Sequence, residues 1–469
     1  MIKPETKITA KKLKPILWTI SGADCSGGAG IAADIKTGHS LNVEVCHLIT
    51  ANTVQNSSQL VSVNPIAVEL LQQQLDVLIN DKPPSVIKIG LLANVEQVTW
   101  LAQVLTKLKQ VNSNMLSVYD PVGQASAGGN FSALSLVELT PLLTQVDIIT
   151  PNLGEAKSLA NLHEEQVTQA QLAKNIHHVF GITSVIVKGG HSDDDNYSND
   201  YCYHQLNQLS EEKQDNQDKD QVAISYQLSA KRIHSHYSHG GGCSFATALS
   251  AFLAQGYLMR DAFTLAKAFI SQGLAASELQ SQSSGHQYYG AFEQQGWPNK
   301  ANFFPQVTDS LSKQYQALLA FNSLNLTGKK LGLYPVIGSL YWLKRLLPLG
   351  LEIIQLRIKN VSAAELEKMI IEAVELAKAY DTRLFINDYW QLAIKHGAYG
   401  VHIGQEDLQD ADLAKIQQAG VRLGISTHGC YEFLLAQQLQ PSYLAIGAIF
   451  PTKTKDMTGQ IQGIDNLKQ

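Results

Sequence analysis

The sequence is poor in charged residues, and neither sign of charge dominates. Asp, Glu, Lys and Arg make up 16% of the 469 residues, and the formal net charge is −5. The excess of positive charge that attracts proteins to nucleic acid is missing, so we expect no nucleic-acid partner. The apolar fraction is 45%, whereas a disordered chain combines low hydrophobicity with high charge. A folded protein of about two or three domains is predicted.

Cysteines and long apolar runs are also scarce. The five cysteines are odd in number, irregularly spaced and without a CxxC motif, which excludes a disulfide framework and a paired-cysteine zinc site. No apolar run approaches the roughly 18 residues that a membrane span needs. Residues 1–15 form a lysine-rich tail that leads into a strand, unlike a signal peptide. We therefore expect a cytoplasmic protein that does not contact a membrane.

The remaining sequence divides into three regions. Residues 16–275 alternate short apolar runs with helix-like stretches, which predicts a mostly parallel sheet with helices on its faces. Residues 276–330 are rich in Gln, Ser and Asn and indicate a linker. In residues 331–469, strand candidates that each end in a polar cluster alternate with helices, which is typical of a (β/α)8 barrel. These candidates begin near residues 332, 352, 383, 399, 421 and 443.

Two glycine-rich segments each lie between a predicted strand and a predicted helix. The segment 21–30, SGADCSGGAG, lets a ligand approach the backbone closely, and it also fits a weak dinucleotide fingerprint or an ordinary turn. The segment 238–244, SHGGGCS, opens an amphipathic helix whose free N–H groups form an anion site for a transferring phosphoryl group. Cys243 lies at that helix N-terminus, where the dipole is expected to lower the pKa of its thiol.

Further polar residues follow other predicted strands. Asn152 and Glu155 lie three residues apart at a helix start, where they suit either Mg²⁺ and its waters or capping of the helix. Lys188 follows another strand and is suited to neutralising a nucleotide phosphate, and Asp120 ends a third strand. These residue types indicate a nucleotide and metal site.

Together these segments resemble the hydroxymethylpyrimidine and hydroxymethylpyrimidine-phosphate kinases of thiamine synthesis, in the ribokinase superfamily. The resemblance covers about residues 16–275 and depends on SGADCSGGAGIAADIKT, ITANTVQN, KIGLL, TPNLGEA, VKGGH and SHGGGCS. It implies a doubly wound α/β sandwich. The positions that it implies are Gly22, Asp34, Gln55 and Leu91 for the pyrimidine, Asp120, Asn152, Glu155, Lys188 and Lys267 for ATP and Mg²⁺, and Gly240, Gly242 and Cys243 for catalysis.

The resemblance also implies the reaction. The region would transfer a phosphoryl group from ATP, with Mg²⁺, to the hydroxymethyl group of 4-amino-5-hydroxymethyl-2-methylpyrimidine and then to its monophosphate. Positioning and charge neutralisation dominate such reactions, and Cys243 would accept the hydroxyl proton. A pyridoxal-type kinase, which shares the fold, is the alternative, although Gln55 and the segment 23–30 favour hydroxymethylpyrimidine.

Two positions depart from the kinase pattern. Gly241 stands where the family usually has Thr, so a hydroxyl near the phosphate is lost. Leu91 stands where Met is usual, a change that conserves volume. We expect the first departure to weaken activity modestly and the second hardly to affect it.

The third region carries its polar residues at the ends of predicted strands. Gln355, Arg357 and Lys359 alternate along one strand and therefore share a face, and two cations with an amide suit a pyrophosphate. Asp388 and Asp407 place two carboxylates at the same rim, which predicts a Mg²⁺ site.

His402 is the residue of this region that could suggest zinc. No second His or Cys stands at a matching spacing. A structural or substrate-side role is therefore expected for His402.

Residues 333–467 resemble thiamine-phosphate synthase, through LFINDYWQLAIKH, GVHIGQEDLQ, GISTH and FPTKTK. The resemblance implies that pyrophosphate leaves the pyrimidine and that a thiazole nitrogen captures the resulting cation. The positions that it implies are Gln355, Arg357, Lys359 and Asn387 for the pyrimidine pyrophosphate, Ser426 beside the pyrimidine, Asp388 and Asp407 for Mg²⁺, and Thr452, Thr454 and Lys455 for phosphate groups.

The synthase barrel of the family has eight strands, whereas about six strand candidates precede Gln469. An open barrel leaves two unpaired edges, so we expect little or no synthase activity from these residues. A non-catalytic pyrimidine-binding or oligomerisation module is the alternative. Pairing of the edges with another chain would complete the barrel, and we expect a homo-oligomer that acts on small molecules.

Overall fold

The computed structural model of the chain describes most of its residues. The described residues are 13–56, 59–122, 134–162, 166–190, 194–206, 223–235, 237–284, 290–310, 312, 319–324, 326, 330–451 and 467. The chain forms two compact units, Met1–Pro305 and Gln306–Gln469. Their division falls inside the predicted linker 276–330, and the predicted domain boundaries themselves stay a prediction.

The first unit is built on a sheet whose central strands are parallel. The sheet order is β9-β8-β7-β6-β5-β4-β1-β2-β3, and the strands from β7 to β2 in this order run parallel, whereas β3, β8 and β9 pair antiparallel. The strands are β1 (Ile16–Asp24), β2 (Glu44–Gln55), β3 (Leu60–Pro65), β4 (Val86–Ile89), β5 (Leu116–Tyr119), β6 (Ile148–Ile149), β7 (Ser184–Val187), β8 (Tyr197–Gln205) and β9 (Ala223–Lys231).

Helices cover the strands of this sheet. They are α1 (Gly30–Ser40), α2 (Val68–Asp81), α3 (Val95–Val111), α4 (Leu136–Leu143), α5 (Leu153–Ala160), α6 (Gln169–Phe180), α7 (Gly241–Ala254) and α8 (Met259–Ser284). Trp18 and Ile20 on β1 and Ile87 on β4 are fully buried in the core between them. The chain winds outward in both directions from β1 and β4, which confirms the predicted doubly wound sheet. Such a reversal opens a crevice at the carboxyl ends of the two strands, where ligands bind.

The second unit contains a six-stranded parallel sheet in the order β11 to β16. Its strands begin within four residues of the predicted positions, and the open sheet is the predicted part of a (β/α)8-type barrel. The strands of the unit are β10 (Gln306–Thr308), β11 (Val336–Ile337), β12 (Ile353–Leu356), β13 (Arg383–Asn387), β14 (Gly400–Ile403), β15 (Arg422–Thr427) and β16 (Tyr443–Ile446). The helices are α9 (Leu340–Leu346), α10 (Ala363–Ala379), α11 (Trp390–His396), α12 (Gln405–Leu408), α13 (Leu413–Gln418) and α14 (Cys430–Gln438).

In the part of the chain that the structure describes, every helix is too short or too polar to cross a bilayer.

Candidate functional sites

A cavity of about 460 Å³ opens in the first unit where β1 and β4 end. It brings together residues from both glycine-rich segments and from the polar clusters that follow β5, β6 and β7. Of the residues predicted for the kinase site, the cavity is lined by Gly22, Gln55, Leu91, Asp120, Asn152, Glu155, Lys188, Gly240, Gly242, Cys243 and Lys267.

The two glycine-rich segments pack directly against each other at the cavity wall. Gly240 adopts a left-handed backbone with φ +83°, and a Cβ added there would lie 1.9 Å from the carbonyl oxygen of Gly28. A Cβ at Gly30 would lie 2.1 Å from the carbonyl oxygen of Gly22. Since neither position tolerates a side chain, the glycines are explained by this close approach of backbones.

Asp24 holds the first glycine segment in shape and links it to the second. Its carboxylate accepts hydrogen bonds from the backbone N–H groups of Ser26 at 2.8 Å and Ala29 at 2.9 Å. The Nε2 atom of His239 lies 2.9 Å from Asp24 Oδ2. Burial alone would raise the pKa of Asp24, but the hydrogen bonds from His239 and Ser26 outweigh it and lower the pKa to about 2. The sequence patterns did not single out either residue of this pair.

Cys243 is the third residue of helix α7, and the pKa of its thiol differs from the expectation. The N-cap residue is Gly240, which has no side chain to cap the first N–H groups. The Gly241 N–H donates to the Ser238 carbonyl at 2.9 Å, which leaves the N–H groups of Gly242 and Cys243, two residues that line the cavity, for an anion. Burial raises the pKa of Cys243 to about 11, although the charge of Lys88 acts in the opposite direction. The predicted lowering of this pKa by the helix terminus is therefore wrong, because the loss of solvent around the sulfur outweighs the nearby positive charge.

Lys188 and Asp120 form an ion pair in the cavity wall. Lys188 Nζ donates to Asp120 Oδ1 at 2.7 Å, and Thr150 donates to the same oxygen at 3.1 Å. Burial alone would lower the pKa of Lys188, but the charge of Asp120 outweighs it and keeps the pKa above its usual value. A Cβ added at Gly242 would lie 3.8 Å from Lys188 Nζ. A fixed positive charge thus stands against the N-terminus of α7, as a phosphate site requires.

Asn152 and Glu155 form a capping box at the start of α5. Asn152 Oδ1 accepts from the Glu155 N–H at 2.9 Å, and Glu155 Oε2 accepts from the Asn152 N–H at 2.8 Å. Both side chains also line the cavity. Of the two interpretations left open by the sequence, helix capping is observed directly, and binding of Mg²⁺ stays a prediction.

Asp34 is the predicted kinase-site residue that the structure does not bring to the cavity surface. The side chain is fully buried on α1, where its carboxylate accepts from Lys88 Nζ at 2.9 and 3.0 Å and from Thr247 at 2.6 Å. Lys88 on β4 is also fully buried, and although burial alone would lower its pKa, the charge of Asp34 raises it. Asp34 therefore joins α1, β4 and α7 beneath the cavity.

Lys267 reaches the cavity wall but already has protein partners. Its Nζ donates to Asp200 Oδ2 and to Ser198 Oγ, each at 2.8 Å. The other carboxylate oxygen of Asp200 accepts from the Gly189 N–H at 2.8 Å. Lys267 thus fixes the turn after β7 through Asp200, a residue that the sequence analysis did not single out.

The second unit places a chain of amide contacts at the carboxyl ends of β12 and β13. Gln355 Nε2 donates to Asn387 Oδ1 at 2.6 Å, and both side chains are buried. Asn387 in turn donates to Asp388 Oδ2. The predicted neighbours Gln355, Asn387 and Asp388 are therefore in contact.

Asp388 is the most strongly perturbed acid of this site. Its backbone has φ +66°, a left-handed conformation that is uncommon for a residue with a side chain. Burial and the charge of Asp407 raise its pKa to about 6, against the lowering effect of Arg357 and Lys359. The other three predicted charged residues thus all act on Asp388 at this rim.

His402 lies behind this rim, beside a predicted pyrimidine-site residue. Its Nε2 atom is 2.7 Å from Ser426 Oγ, and 5% of the residue is exposed. Among the described residues, no group of three or more His, Cys, Asp and Glu is arranged for a metal ion. The predicted phosphate-binding residues Thr452, Thr454 and Lys455 lie outside the described residues.

Comparison with known proteins places both units. Residues 24–289 match the family described as phosphomethylpyrimidine kinase, and residues 333–469 match the family described as thiamine monophosphate synthase. The structure of the Staphylococcus aureus pyridoxal kinase in complex with ADP is 26% identical, with a TM-score of 0.50, over 64% of this chain and 100% of that one. This likeness confirms the predicted ribokinase-like fold of the first unit.

The second unit has relatives of higher identity. The thiamine-phosphate synthase of Yersinia pseudotuberculosis is 60% identical over 143 residues, which are 30% of this chain and 66% of that relative. The thiamine-phosphate synthase of Serratia proteamaculans is 57% identical over 143 residues, 68% of its length. The chain spans about two thirds of the length of these relatives.

Proposed function

The chain belongs to the phosphomethylpyrimidine kinase family, with a second region that belongs to the thiamine-phosphate synthase family, and from this premise we propose that its first unit phosphorylates hydroxymethylpyrimidine and then its monophosphate with ATP. The observation that carries the proposal is the single cavity in which the uncapped N-terminus of α7 meets the Lys188–Asp120 pair and the side chain of Gln55. The first two features suit a triphosphate, and the third suits the polar edge of a pyrimidine.

The proposed reaction needs little covalent chemistry from the protein. The hydroxymethyl oxygen attacks the γ-phosphorus, the bond to the ADP oxygen breaks, and the hydroxyl proton leaves to the sulfur of Cys243. The free N–H groups of α7 would hold the phosphoryl oxygens, and Lys188 would balance their charge. Because the pKa of Cys243 is about 11, only the minor thiolate form of the residue accepts this proton at neutral pH.

Oxygen donors in the cavity fit Mg²⁺. Asp120, Asn152 and Glu155 line the cavity together, and carboxylate and amide oxygens are the donors that Mg²⁺ prefers, often through retained waters. Asp120 already balances Lys188, so these residues would hold the ion chiefly through such waters. When bound, Mg²⁺ would neutralise charge on the nucleotide phosphates.

Product analysis tests the kinase proposal against its alternative. The full chain is incubated with ATP and Mg²⁺ and with either hydroxymethylpyrimidine or pyridoxal, and products are resolved by mass. We expect pyrimidine monophosphate followed by diphosphate, and much slower phosphorylation of pyridoxal. Faster turnover of pyridoxal would instead support a pyridoxal-type kinase, in line with the structural neighbour.

For the second unit, we propose a site that binds the pyrimidine diphosphate made by the first and joins it to a thiazole phosphate with release of pyrophosphate. Support comes from the Gln355–Asn387 amide pair for the pyrimidine, from Arg357 and Lys359 for the diphosphate, and from Asp388 beside Asp407 for Mg²⁺. In this reaction the carbon–oxygen bond to pyrophosphate breaks, and the thiazole nitrogen supplies the electron pair of the new bond.

One further reaction mixture tests this second activity. Thiazole phosphate is added to the kinase assay, and thiamine phosphate is measured by mass. Its formation would support the proposed synthase reaction. Its absence, with accumulation of pyrimidine diphosphate, would contradict that reaction and leave the second unit a binding or oligomerisation role. Sedimentation of the same sample tests the proposed homo-oligomer, and fractionation of cells tests the proposed cytoplasmic location.

A further inference from the structure

A chain of hydrogen-bonding groups runs through the interior of the second unit and ends at Ser426. The hydroxyl of Tyr334 lies 2.6 Å from the hydroxyl of Tyr443. The hydroxyl of Tyr443 lies 2.7 Å from His402 Nδ1, and His402 Nε2 lies 2.7 Å from Ser426 Oγ. Neither tyrosine belongs to the site residues predicted above, and the proposed function makes no use of them.

The strand pairing explains how Tyr443 reaches His402. Tyr443 on β16 pairs with Gly424 on β15, and a Cβ at Gly424 would lie 2.2 Å from the tyrosine ring. The ring therefore lies across the backbone of β15, towards β14. Its centroid is 5.1 Å from that of the Phe385 ring. The Phe385 ring in turn lies over Gly400, where an added Cβ would be 2.2 Å from it. Because Gly400 and Gly424 have no side chains, the aromatic rings form a layer directly beneath the rim. In this layer the hydroxyl of Tyr443 contacts His402.

The direction of each hydrogen bond in this chain follows from comparing the donor strengths of the groups. His402 is buried, and both of its ring nitrogens contact hydroxyl groups rather than carboxylates. The imidazole is therefore neutral, with one donor and one acceptor nitrogen. A phenol is a stronger proton donor than an imidazole N–H, so Tyr443 donates to Nδ1 and accepts from Tyr334. The remaining imidazole proton is then on Nε2 and is donated to Ser426 Oγ. Ser426 has accepted a hydrogen bond and keeps its own proton for a ligand.

We propose that Tyr443, supported by Tyr334, is a positioning residue of the pyrimidine site that sets the tautomer of His402 and thereby makes the Ser426 hydroxyl a donor to a ring nitrogen of the ligand. The inference rests on the proposed function of the second unit. It also assigns a specificity, because a heteroaromatic ring with an N–H at that position would face a second donor instead of an acceptor.

The tautomer can be measured without any ligand. In the full chain labelled with ¹⁵N-histidine, the signal of His402 is assigned by its loss in His402→Gln. We expect a proton on Nε2 and none on Nδ1 at neutral pH, and a mixture of tautomers in Tyr443→Phe. A proton on Nδ1 in the unchanged chain would reverse the chain of donors and overturn the proposal.

Calorimetry with pyrimidine diphosphate tests the consequence for binding. Tyr443→Phe should weaken binding about fivefold, as expected for loss of one oriented hydrogen bond, and should leave the binding of inorganic pyrophosphate unchanged. In a Ser426→Ala background the same change should have no further effect. All variants also carry Gln55→Ala, which lowers binding of the pyrimidine at the first unit. Any binding that remains there is the same in every variant and does not affect the comparison.

The matched control is Tyr399→Phe, which removes a hydroxyl from the same aromatic layer. Tyr399 packs on Phe385 with centroids 5.7 Å apart, but its hydroxyl donates to the Leu324 carbonyl at 3.0 Å. We expect unchanged binding. Equal weakening by Tyr399→Phe, or by Tyr443→Phe with and without Ser426, would reduce Tyr443 to a packing role and overturn the proposal. If the unchanged chain binds no pyrimidine diphosphate at its second unit, the proposed function fails there, and the His402 spectrum separately decides the tautomer.

Discussion

The two sites differ in how their carboxylates are balanced. In the first unit, acids at or beneath the cavity already have a nitrogen partner within the protein. These pairs are Asp24 with His239, Asp34 with Lys88, Asp120 with Lys188, and Asp200 with Lys267. In the second unit, Asp388 faces a second acid, Asp407, and its pKa is raised to about 6. Each of these four acids in the first unit thus contacts its own nitrogen partner, whereas at Asp388 the effects of burial and of Asp407 on the pKa exceed those of Arg357 and Lys359.

This contrast suits the two ligands that we propose. Where acids at the cavity are paired with nitrogen groups, the α7 N-terminus and Lys188 can attract phosphate, and Mg²⁺ can arrive with the nucleotide. Two facing carboxylates repel each other until a divalent cation binds between or beside them. The imbalance of charge therefore indicates where the protein itself would hold Mg²⁺. The following predictions test this comparison, from the largest expected effect to the smallest.

Cys243→Ala should lower the kinase turnover by about 10²–10⁴-fold, the usual contribution of a proton acceptor, with ATP binding unchanged by calorimetry. The buried Cys46 provides the control, and Cys46→Ala should keep its turnover. Because the pKa of Cys243 is about 11, the thiolate fraction increases with pH, and turnover of the unchanged chain should rise between about pH 7 and pH 9. Unchanged turnover in Cys243→Ala would remove this residue from the mechanism.

Lys88→Met should lower the free energy of unfolding of the first unit by about 3–5 kcal/mol, since it leaves Asp34 buried without its counter-charge. Urea titration measures the effect. The double variant Lys88→Met, Asp34→Leu should recover most of the loss, because no buried charge remains. Lys82→Met, which breaks an exposed pair with Glu44, should change little. An equally unstable double variant would show that shape rather than charge matters beneath the cavity.

Asp120→Asn should lower the free energy of unfolding, whereas Asp407→Asn should not. The first leaves Lys188 without its partner in the cavity wall and should cost about 1–3 kcal/mol. The second removes a like charge from Asp388 and should leave the unfolding free energy unchanged or slightly raised. Both are read from urea titrations without metal. A loss of stability in Asp407→Asn would mean that its carboxylate is already balanced.

Binding of Mg²⁺ to the second unit should weaken as the pH falls through about 6. The raised pKa of Asp388 means that its carboxyl is neutral below that value, and a proton then competes with the metal, by up to about tenfold per pH unit. Calorimetry with Mg²⁺ in the absence of nucleotide measures the affinity. Asp388→Asn should abolish the pH dependence, whereas Asp412→Asn, at an exposed helix cap, should preserve it. Affinity that is independent of pH would separate Asp388 from the metal.

Local patterns predicted most of both sites because their residues follow strands in the sequence. Parallel strands end at a common edge, so polar residues placed after β5, β6 and β7 meet without any knowledge of packing. Gln355 and Asn387 were found in the same way, on adjacent strands of the second unit. Contacts between distant parts of the sequence were not predicted. The contact of His239 with Asp24, for example, joins residues 215 positions apart.

The amino-acid sequence by itself determined the alternation of strands and helices, the two backbone segments that require glycine, and most of the residue types that line the candidate sites. Only the tertiary structure decided the balance of charge, because that balance depends on distance and on burial. It buried Asp34 against Lys88, it raised the pKa of Cys243 where the helix terminus alone would lower it, and it placed Tyr443 over a glycine so that its hydroxyl meets His402. The electrostatic energy of a charged group depends on how much solvent folding removes from around it. The order of residues along the chain does not show how much solvent that is.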